Sequence, residues 1–92
     1  MKTKESIHCI VLGKVQGVWF RANTQKKAHQ LGVTGWVRNL PDGTVEVKAT
    51  AEIQVLKNFI DWLHKGPELA RVDHVIIETI AYEEFTSFEL KN

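Results

Sequence analysis

The chain has 92 residues, of which 43% are hydrophobic and 25% charged, a composition typical of one globular domain rather than of a disordered or fibrous protein. Its 12 basic and 11 acidic residues leave a formal net charge of +1, which argues against the basic surface of a nucleic-acid-binding protein. The single cysteine cannot form an internal disulfide and no apolar run has the length of a membrane span, so we expect one cytoplasmic domain, residues 1–92.

A strand and a helix are predicted at the start of the chain. Residues 7–12 are apolar and partly β-branched, which predicts a central strand in which Cys9 is a buried hydrophobic residue rather than a reactive thiol. Residues 22–31 have apolar side chains at helical spacing, and Gly32 supplies a helix stop. This helix is only weakly apolar, so its small residues favour close packing on a sheet.

A hairpin follows the first helix. Residues 34–39 and 44–50 flank the sequence Leu-Pro-Asp-Gly at 40–43, and its last three residue types are strong turn formers. The second strand alternates between apolar and polar side chains: Val45, Val47 and Ala49 against Glu46, Lys48 and Thr50. This alternation predicts a sheet with one solvated face, and Asp42 is expected to be a turn residue.

The second half of the chain predicts an amphipathic helix and two further strands. The helix begins at Thr50 or Ala51 and ends near Gly66 and Pro67. Its apolar stripe consists of Ile53, Leu56, Phe59, Ile60 and Leu63. Residues 71–78 predict a strand, and residues 85–90 predict a weaker terminal strand. Four aromatic residues are expected in the core: Phe20, Trp36, Phe59 and Trp62.

The predicted order of elements is β-α-β-β-α-β with an additional edge strand. This order favours an α+β fold, the ferredoxin-like split βαβ sandwich, in which two helices cover one face of a four- to five-stranded antiparallel sheet. A chain of this length is large enough for one such two-layer core.

The loop between the first strand and the first helix is the most informative feature for function. It reads Gly13-Lys14-Val15-Gln16-Gly17-Val18-Trp19-Phe20-Arg21. The glycines allow backbone N–H groups to turn inward, and the helix N-terminus that follows adds further donors for an anion. Arg21 lies where the loop meets the helix and can contact two phosphate oxygens at once. The loop therefore predicts a phosphate cradle with its own cation.

This loop and a second segment together resemble the two signature motifs of the acylphosphatases. The second segment is Gly35-Trp36-Val37-Arg38-Asn39-Leu40-Pro41-Asp42-Gly43-Thr44-Val45-Glu46-Val47. The resemblance extends over nearly the whole chain and implies the ferredoxin-like fold. It also implies a hydrolase that cleaves the carboxyl-phosphate anhydride bond of small acyl phosphates to a carboxylate and inorganic phosphate. No cofactor and no metal are implied, and we expect a monomer.

The resemblance places the catalytic pair on Arg21 and Asn39. Arg21 would bind the phosphoryl group, and Asn39 would hold the attacking water through its side-chain amide. The loop amides complete the phosphate site: Lys14, Val15, Gln16, Gly17, Val18, Trp19 and Phe20. Inorganic phosphate or sulfate is expected to compete for this site. Trp19 stands at a position that the family fills variably, often with glycine, and its ring would restrict the pocket mouth or stack on the acyl group.

The chemistry of an acyl phosphate fits these residues. Because its leaving group is a carboxylate, a dedicated general acid is dispensable, and the protein supplies mainly positioning and positive charge. The resemblance assigns no His or carboxylate to proton removal, so we hypothesise that the substrate phosphate accepts the proton from water. The histidines show no close ligand spacing, so no metal site is predicted: His8, His29, His64 and His74.

Two other functions are compatible with this fold. A non-catalytic module that senses an anionic metabolite would use the loop and Arg21 but would not need Asn39. An RNA-binding module would present aromatic residues from the sheet, but the RNP1 sequence pattern is absent. Similar domains also occur within larger carbamoyl-transfer proteins. The sensing module is the main alternative to the enzyme.

Overall fold

The structure is a computed structural model and describes residues 3–92. The elements in chain order are β1 (Lys4–Lys14), α1 (Phe20–Leu31), β2 (Thr34–Asn39), β3 (Val45–Glu52), α2 (Ile53–Lys65), β4 (Arg71–Ile80) and β5 (Phe88–Leu90). This is the predicted β-α-β-β-α-β order with an additional terminal strand.

The strands form a single sheet in the order β4-β1-β3-β2-β5. β1 pairs antiparallel with β3 and β4, and β2 pairs antiparallel with β3, as the ferredoxin-like fold requires. β5 pairs parallel with β2, so the sheet is mixed rather than wholly antiparallel. The reason is the direction of the chain: β4 ends opposite the start of β1, where Ile80 pairs with Ser6. After reversing there, β5 runs in the same direction as β1 and β2.

The buried core lies between the sheet and the two helices. β3 alternates as predicted, with Val45, Val47 and Ala49 fully buried. α2 buries Leu56, Phe59 and Leu63 from its predicted stripe, whereas Ile53 is 44% exposed at the first turn. Within residues 3–92, neither helix is both long enough and apolar enough to cross a membrane.

The observed ends of the elements differ from the predicted ends where strand pairing continues beyond the sequence pattern. α2 begins at Ile53 rather than at Thr50 or Ala51, because β3 extends to Glu52, which pairs with Lys4 of β1. β5 begins at Phe88 rather than at residue 85, since its pairing with β2 starts only there. Backbone pairing, not side-chain pattern, determines these ends.

Three of the five single-residue expectations for the core are confirmed, a fourth residue, Trp62, is partly buried against the core, and one expectation is wrong. Cys9 is fully buried, and burial raises the pKa of its thiol to about 12, so it is no nucleophile at neutral pH. Phe20 and Phe59 are also buried. Trp36 is not a core residue: its neighbour Val37 faces the helices, so Trp36 lies half-buried on the opposite sheet face.

One end of the sheet is closed by a network of buried hydroxyl groups, and we call it the closed end. The hydroxyl oxygens of Ser6 and Thr50 lie 2.6 Å apart. The backbone N–H of Glu83 donates to Ser6 Oγ at 2.8 Å, and Thr50 Oγ1 donates to the Glu83 carbonyl at 2.7 Å. These bonds fix the segment between β4 and β5 across the sheet, which allows β5 to enter beside β2.

Candidate functional site

The loop between β1 and α1 lies at the opposite end of the sheet, which we call the site end. Gly17 has φ 72°, and nothing lies within 4 Å of the position that a Cβ would occupy there. Trp19 also has a left-handed backbone, with φ 63° and ψ 22°. For a residue other than glycine this conformation costs about 1–2 kcal/mol. The loop therefore curves as predicted, but it carries strain at one position that glycine would relieve.

The N-terminus of α1 faces into this loop without a side-chain cap. The N-cap residue, Trp19, makes no side-chain hydrogen bond to the helix, and the first turn contains no acidic residue. The first backbone bond of the helix runs from the Asn23 N–H to the Trp19 carbonyl at 3.0 Å. The N–H groups before Asn23 have no partner within the helix, and together with the helix dipole they favour an anion.

Arg21 stands in the first turn of α1 and is held by the residue that follows β5. Its Nη1 donates to the Lys91 carbonyl at 2.9 Å. The N–H of Lys91 in turn donates to the Val37 carbonyl at 2.8 Å. Since a guanidinium group has five N–H donors, this anchor orients Arg21 and leaves other donors for a ligand. The Lys91 contact could not be predicted from the sequence, because a backbone carbonyl acceptor can belong to any residue type.

Asn39 is the last residue of β2 and pairs with Val45. Its Oδ1 is buried and has no hydrogen-bond partner in the part of the chain that the structure describes. Buried polar atoms almost always have partners, so an unpaired one in a native fold requires an explanation. A ligand or a water molecule that donates a hydrogen bond to this oxygen would provide one.

Gln16 connects the loop to the β2–β3 turn that follows Asn39. Its Nε2 donates to the carbonyls of Leu40 and Thr44, both at 2.8 Å. The turn is further fixed by Asp42, which accepts bonds from the backbone N–H and the hydroxyl of Thr44. Those bonds lower the pKa of Asp42, and its expected role as a turn residue is confirmed. Gln16 therefore couples the position of the loop to the residue beside Asn39.

Arg21 and Asn39 line one pocket of about 290 Å³ although they are far apart in sequence. Val15, Gly17, Trp19 and Phe20 of the predicted phosphate-binding loop also line it. Three of the predicted loop residues are not part of the pocket lining: Lys14, Gln16 and Val18. Sequence reasoning missed two apolar lining residues, Ala22 and Leu90.

The side chains that line this pocket carry positive charge and no negative charge. Arg21 is the one charged side chain among the residues that line it, and the lining contains no His, Asp or Glu. Within residues 3–92, no group of three or more His, Cys, Asp or Glu side chains has the arrangement of a metal site. The pocket can therefore attract an anion and orient it, while no side-chain base lies in its wall.

The fold and this pocket define a small α+β domain with a candidate anion site at one end of its sheet. A model of the acylphosphatase family matches residues 7–90. The chain is 55% identical over 82 residues to the acylphosphatase of Marinobacter nauticus, covering 88% of this chain and 89% of that protein. The chain belongs to the acylphosphatase family.

Solved structures of this family have the same fold. An acylphosphatase from Coxiella burnetii superposes with a TM-score of 0.93 at 42% identity, covering 96% of this chain and 93% of that one. The acylphosphatase from Bacillus subtilis gives a TM-score of 0.92 at 28% identity, covering 98% of this chain and all of that one. The family resemblance and the ferredoxin-like fold predicted from sequence are both confirmed.

Proposed function

We propose that this protein is an acylphosphatase, an enzyme that hydrolyses acyl phosphates to a carboxylate and inorganic phosphate. The observation that carries the proposal is the shared pocket of Arg21 and Asn39, in which the Asn39 Oδ1 is buried without a partner. One residue supplies charge for the phosphoryl group, and the other offers an acceptor for water. Family membership supports this activity and does not favour the sensing module.

Arg21 and the N–H groups of the loop and of the α1 N-terminus hold the phosphoryl group. Phosphoryl transfer needs mainly positioning and stabilisation of the charge on the equatorial oxygens. Oriented donors of this kind are worth roughly 3–4 kcal/mol each in other enzymes. Because Arg21 and the helix N-terminus already supply positive charge, the proposal needs neither a metal nor another cofactor.

Asn39 positions the attacking water. Water donates one hydrogen bond to Oδ1, and its oxygen attacks phosphorus while the bond between phosphorus and the carboxylate oxygen breaks. The carboxylate leaves as an anion and needs no proton. Since no side-chain base lines the pocket, the proton from water passes to a phosphoryl oxygen of the substrate. An essential enzyme group titrating between about pH 5 and 7, and removed by one substitution, would rule out this route.

We also propose that residues 1–92 act as one domain and as a monomer in the cytoplasm. One cluster of buried hydrophobic residues from the sheet and both helices supports the single domain. A small-molecule acyl phosphate is the partner, and inorganic phosphate or sulfate competes for the same cradle. A pocket that binds the phosphate end of the substrate needs no other macromolecule for substrate binding.

The experiment is hydrolysis of benzoyl phosphate by the purified chain, in buffer with and without EDTA. Turnover that EDTA leaves unchanged and that falls sharply in Asn39→Ala is the expected result. Asn58→Ala is the matched control, because Asn58 is an exposed residue of α2 outside the pocket. A folded wild-type chain that binds phosphate but does not turn over the substrate would favour the sensing module instead.

A further inference from the structure

The three tryptophans differ in the contacts that their side chains make. Trp62 packs on Phe20 with ring centroids 5.8 Å apart, and Trp36 lies under two cationic side chains. Trp19 is 74% exposed, and within residues 3–92 no hydrogen bond or ring contact engages its indole. Packing of the fold therefore does not account for a large aromatic side chain at position 19.

The backbone at Trp19 also opposes this residue type. Among the described residues, Trp19 is the one residue other than glycine with a positive φ. A left-handed conformation is strained for a bulky side chain, and such strain tends to persist at functional sites. Glycine would fit the backbone better and would expose no apolar ring to water. A contact made only when substrate is bound explains why tryptophan stands here.

Trp19 is placed to make that contact. It lines the same pocket as Arg21 and Asn39, and the apolar residues Ala22 and Leu90 line the wall beside them. The pocket, of about 290 Å³, is close in size to the smallest ligand sites, about 300 Å³, and has room for more than a phosphoryl group. The acyl group of a bound acyl phosphate must occupy the part of the pocket that the phosphoryl group leaves open.

We propose that the indole of Trp19 forms a subsite for the acyl group and favours acyl phosphates whose acyl group is aromatic. This inference rests on the proposed function and adds a substrate preference to it. The flat apolar face of an indole stacks on an aromatic ring better than on a methyl group. The backbone N–H of residue 19 stays in the phosphate cradle whatever the side chain is, so the two roles of this residue are separable.

The test compares benzoyl phosphate with acetyl phosphate in the wild type, Trp19→Gly and Tyr82→Ala. The readout is the ratio of kcat/KM for the two substrates. Trp19→Gly is expected to lower that ratio by about two- to tenfold, the range of one aromatic stacking contact, mainly through KM for benzoyl phosphate. Tyr82 is a matched exposed aromatic outside the pocket, and its substitution leaves the ratio unchanged. Trp19→Asn, which tolerates the left-handed backbone, repeats the test without the added flexibility of glycine.

Binding of non-hydrolysable analogues separates this inference from the proposed function. Benzoylphosphonate is expected to bind the wild type more tightly than acetylphosphonate in isothermal titration, and Trp19→Gly removes the difference. This result would stand even if the wild type turned over neither acyl phosphate. An unchanged substrate ratio and unchanged phosphonate affinities in Trp19→Gly would overturn the subsite while leaving the hydrolase intact. An equal loss for both substrates would also overturn it.

Discussion

The two ends of the sheet differ in whether their buried polar groups have hydrogen-bond partners. At the closed end, Ser6, Thr50 and the backbone of Glu83 satisfy one another within the protein. At the site end, Asn39 Oδ1 is buried without a partner and Trp19 carries backbone strain. A satisfied network stabilises the fold, whereas an unsatisfied and strained region costs stability and is retained for another reason. This difference supports the proposal that the site end carries the function.

The largest expected effect comes from removing the cation of the site end. Arg21→Ala is expected to lower kcat/KM by at least about 1,000-fold, as for other arginines that stabilise phosphoryl transfer. Arg21→Lys recovers little, because an ammonium group cannot make the planar two-pronged contact. Phosphate inhibition and benzoyl phosphate turnover measure the loss.

Arg38→Ala is the matched control for Arg21. Arg38 pairs with Glu46 on the face away from the helices and does not line the pocket. Its removal leaves turnover within the error of the assay. Near-normal turnover by either Arg21 variant would contradict the assignment of the phosphate-binding cation.

Asn39→Ala is expected to separate catalysis from phosphate binding. Misplacing an attacking group costs on the order of 100-fold in rate, so kcat falls by that order while the inhibition constant for inorganic phosphate stays close to the wild-type value. Because the substitution also removes an unpaired buried oxygen, the melting temperature does not fall. Loss of phosphate inhibition in a folded Asn39→Ala protein would show that Asn39 holds phosphate rather than water.

The closed end is expected to give the reverse result, a loss of stability without a loss of activity. Ser6→Ala leaves the Glu83 N–H without its acceptor and lowers the free energy of unfolding by about 1–3 kcal/mol. Urea denaturation measures this loss, and benzoyl phosphate turnover stays unchanged at a temperature where the variant is folded.

Two further variants sharpen this prediction. In the double variant Ser6→Ala/Thr50→Val, the free energy of unfolding falls by less than the sum of the two single decreases. The reason is that both partners of one hydrogen bond are replaced. Ser87→Ala is the exposed control and leaves the stability unchanged. A Ser6→Ala protein with normal stability and impaired turnover would reverse the contrast between the two ends.

The smallest expected effect is a pH dependence of stability that arises on the face of the sheet away from the helices. Burial raises the pKa of Glu46, but hydrogen bonds from His8 and Arg38 outweigh it, so the net pKa lies below its ordinary value of 4.5. A depressed carboxyl pKa stabilises the fold above the unfolded value, and this contribution is lost as the pH falls through the folded value. Glu46→Gln is therefore less stable than the wild type at pH 7, and the difference in stability is smaller at pH 3 than at pH 7.

Urea denaturation at both pH values measures this difference. Turnover at pH 7 is unchanged, because Glu46 does not line the pocket. A stability difference that grew on acidification would contradict the direction of the Glu46 shift.

The sequence predicts those parts of the molecule in which residue type dictates conformation. The alternation through Val45, Val47 and Ala49 predicted the buried face of β3, and the Pro-Asp-Gly sequence predicted the turn. The glycines and Arg21 predicted an anion-binding loop, and the structure has an uncapped helix N-terminus at that place. The role proposed for Asn39 came from the family resemblance. An asparagine at the end of a strand is common in turns and does not by itself indicate a function.

The features that the sequence did not predict depend on contacts between residues that are far apart in the chain. The parallel pairing of β5 follows from the reversal of the chain after β4, in a segment that the closed-end network joins to Ser6, far away in the sequence. The anchor of Arg21 is the backbone carbonyl of Lys91, which no side-chain pattern specifies. Trp36 was placed in the core on its size, whereas its position in β2 turns it to the other face.

The measurement that tests the central claim most directly is a titration of the ¹⁵N-labelled chain with inorganic phosphate, followed by NMR. We expect saturable shifts for the amides of residues 15–20 and for the Arg21 side chain, with a competitive inhibition constant equal to the dissociation constant. The amides of Ser6, Thr50 and Glu83 at the closed end stay unchanged. Saturable shifts centred anywhere other than the site end, or none at low salt, would contradict the account.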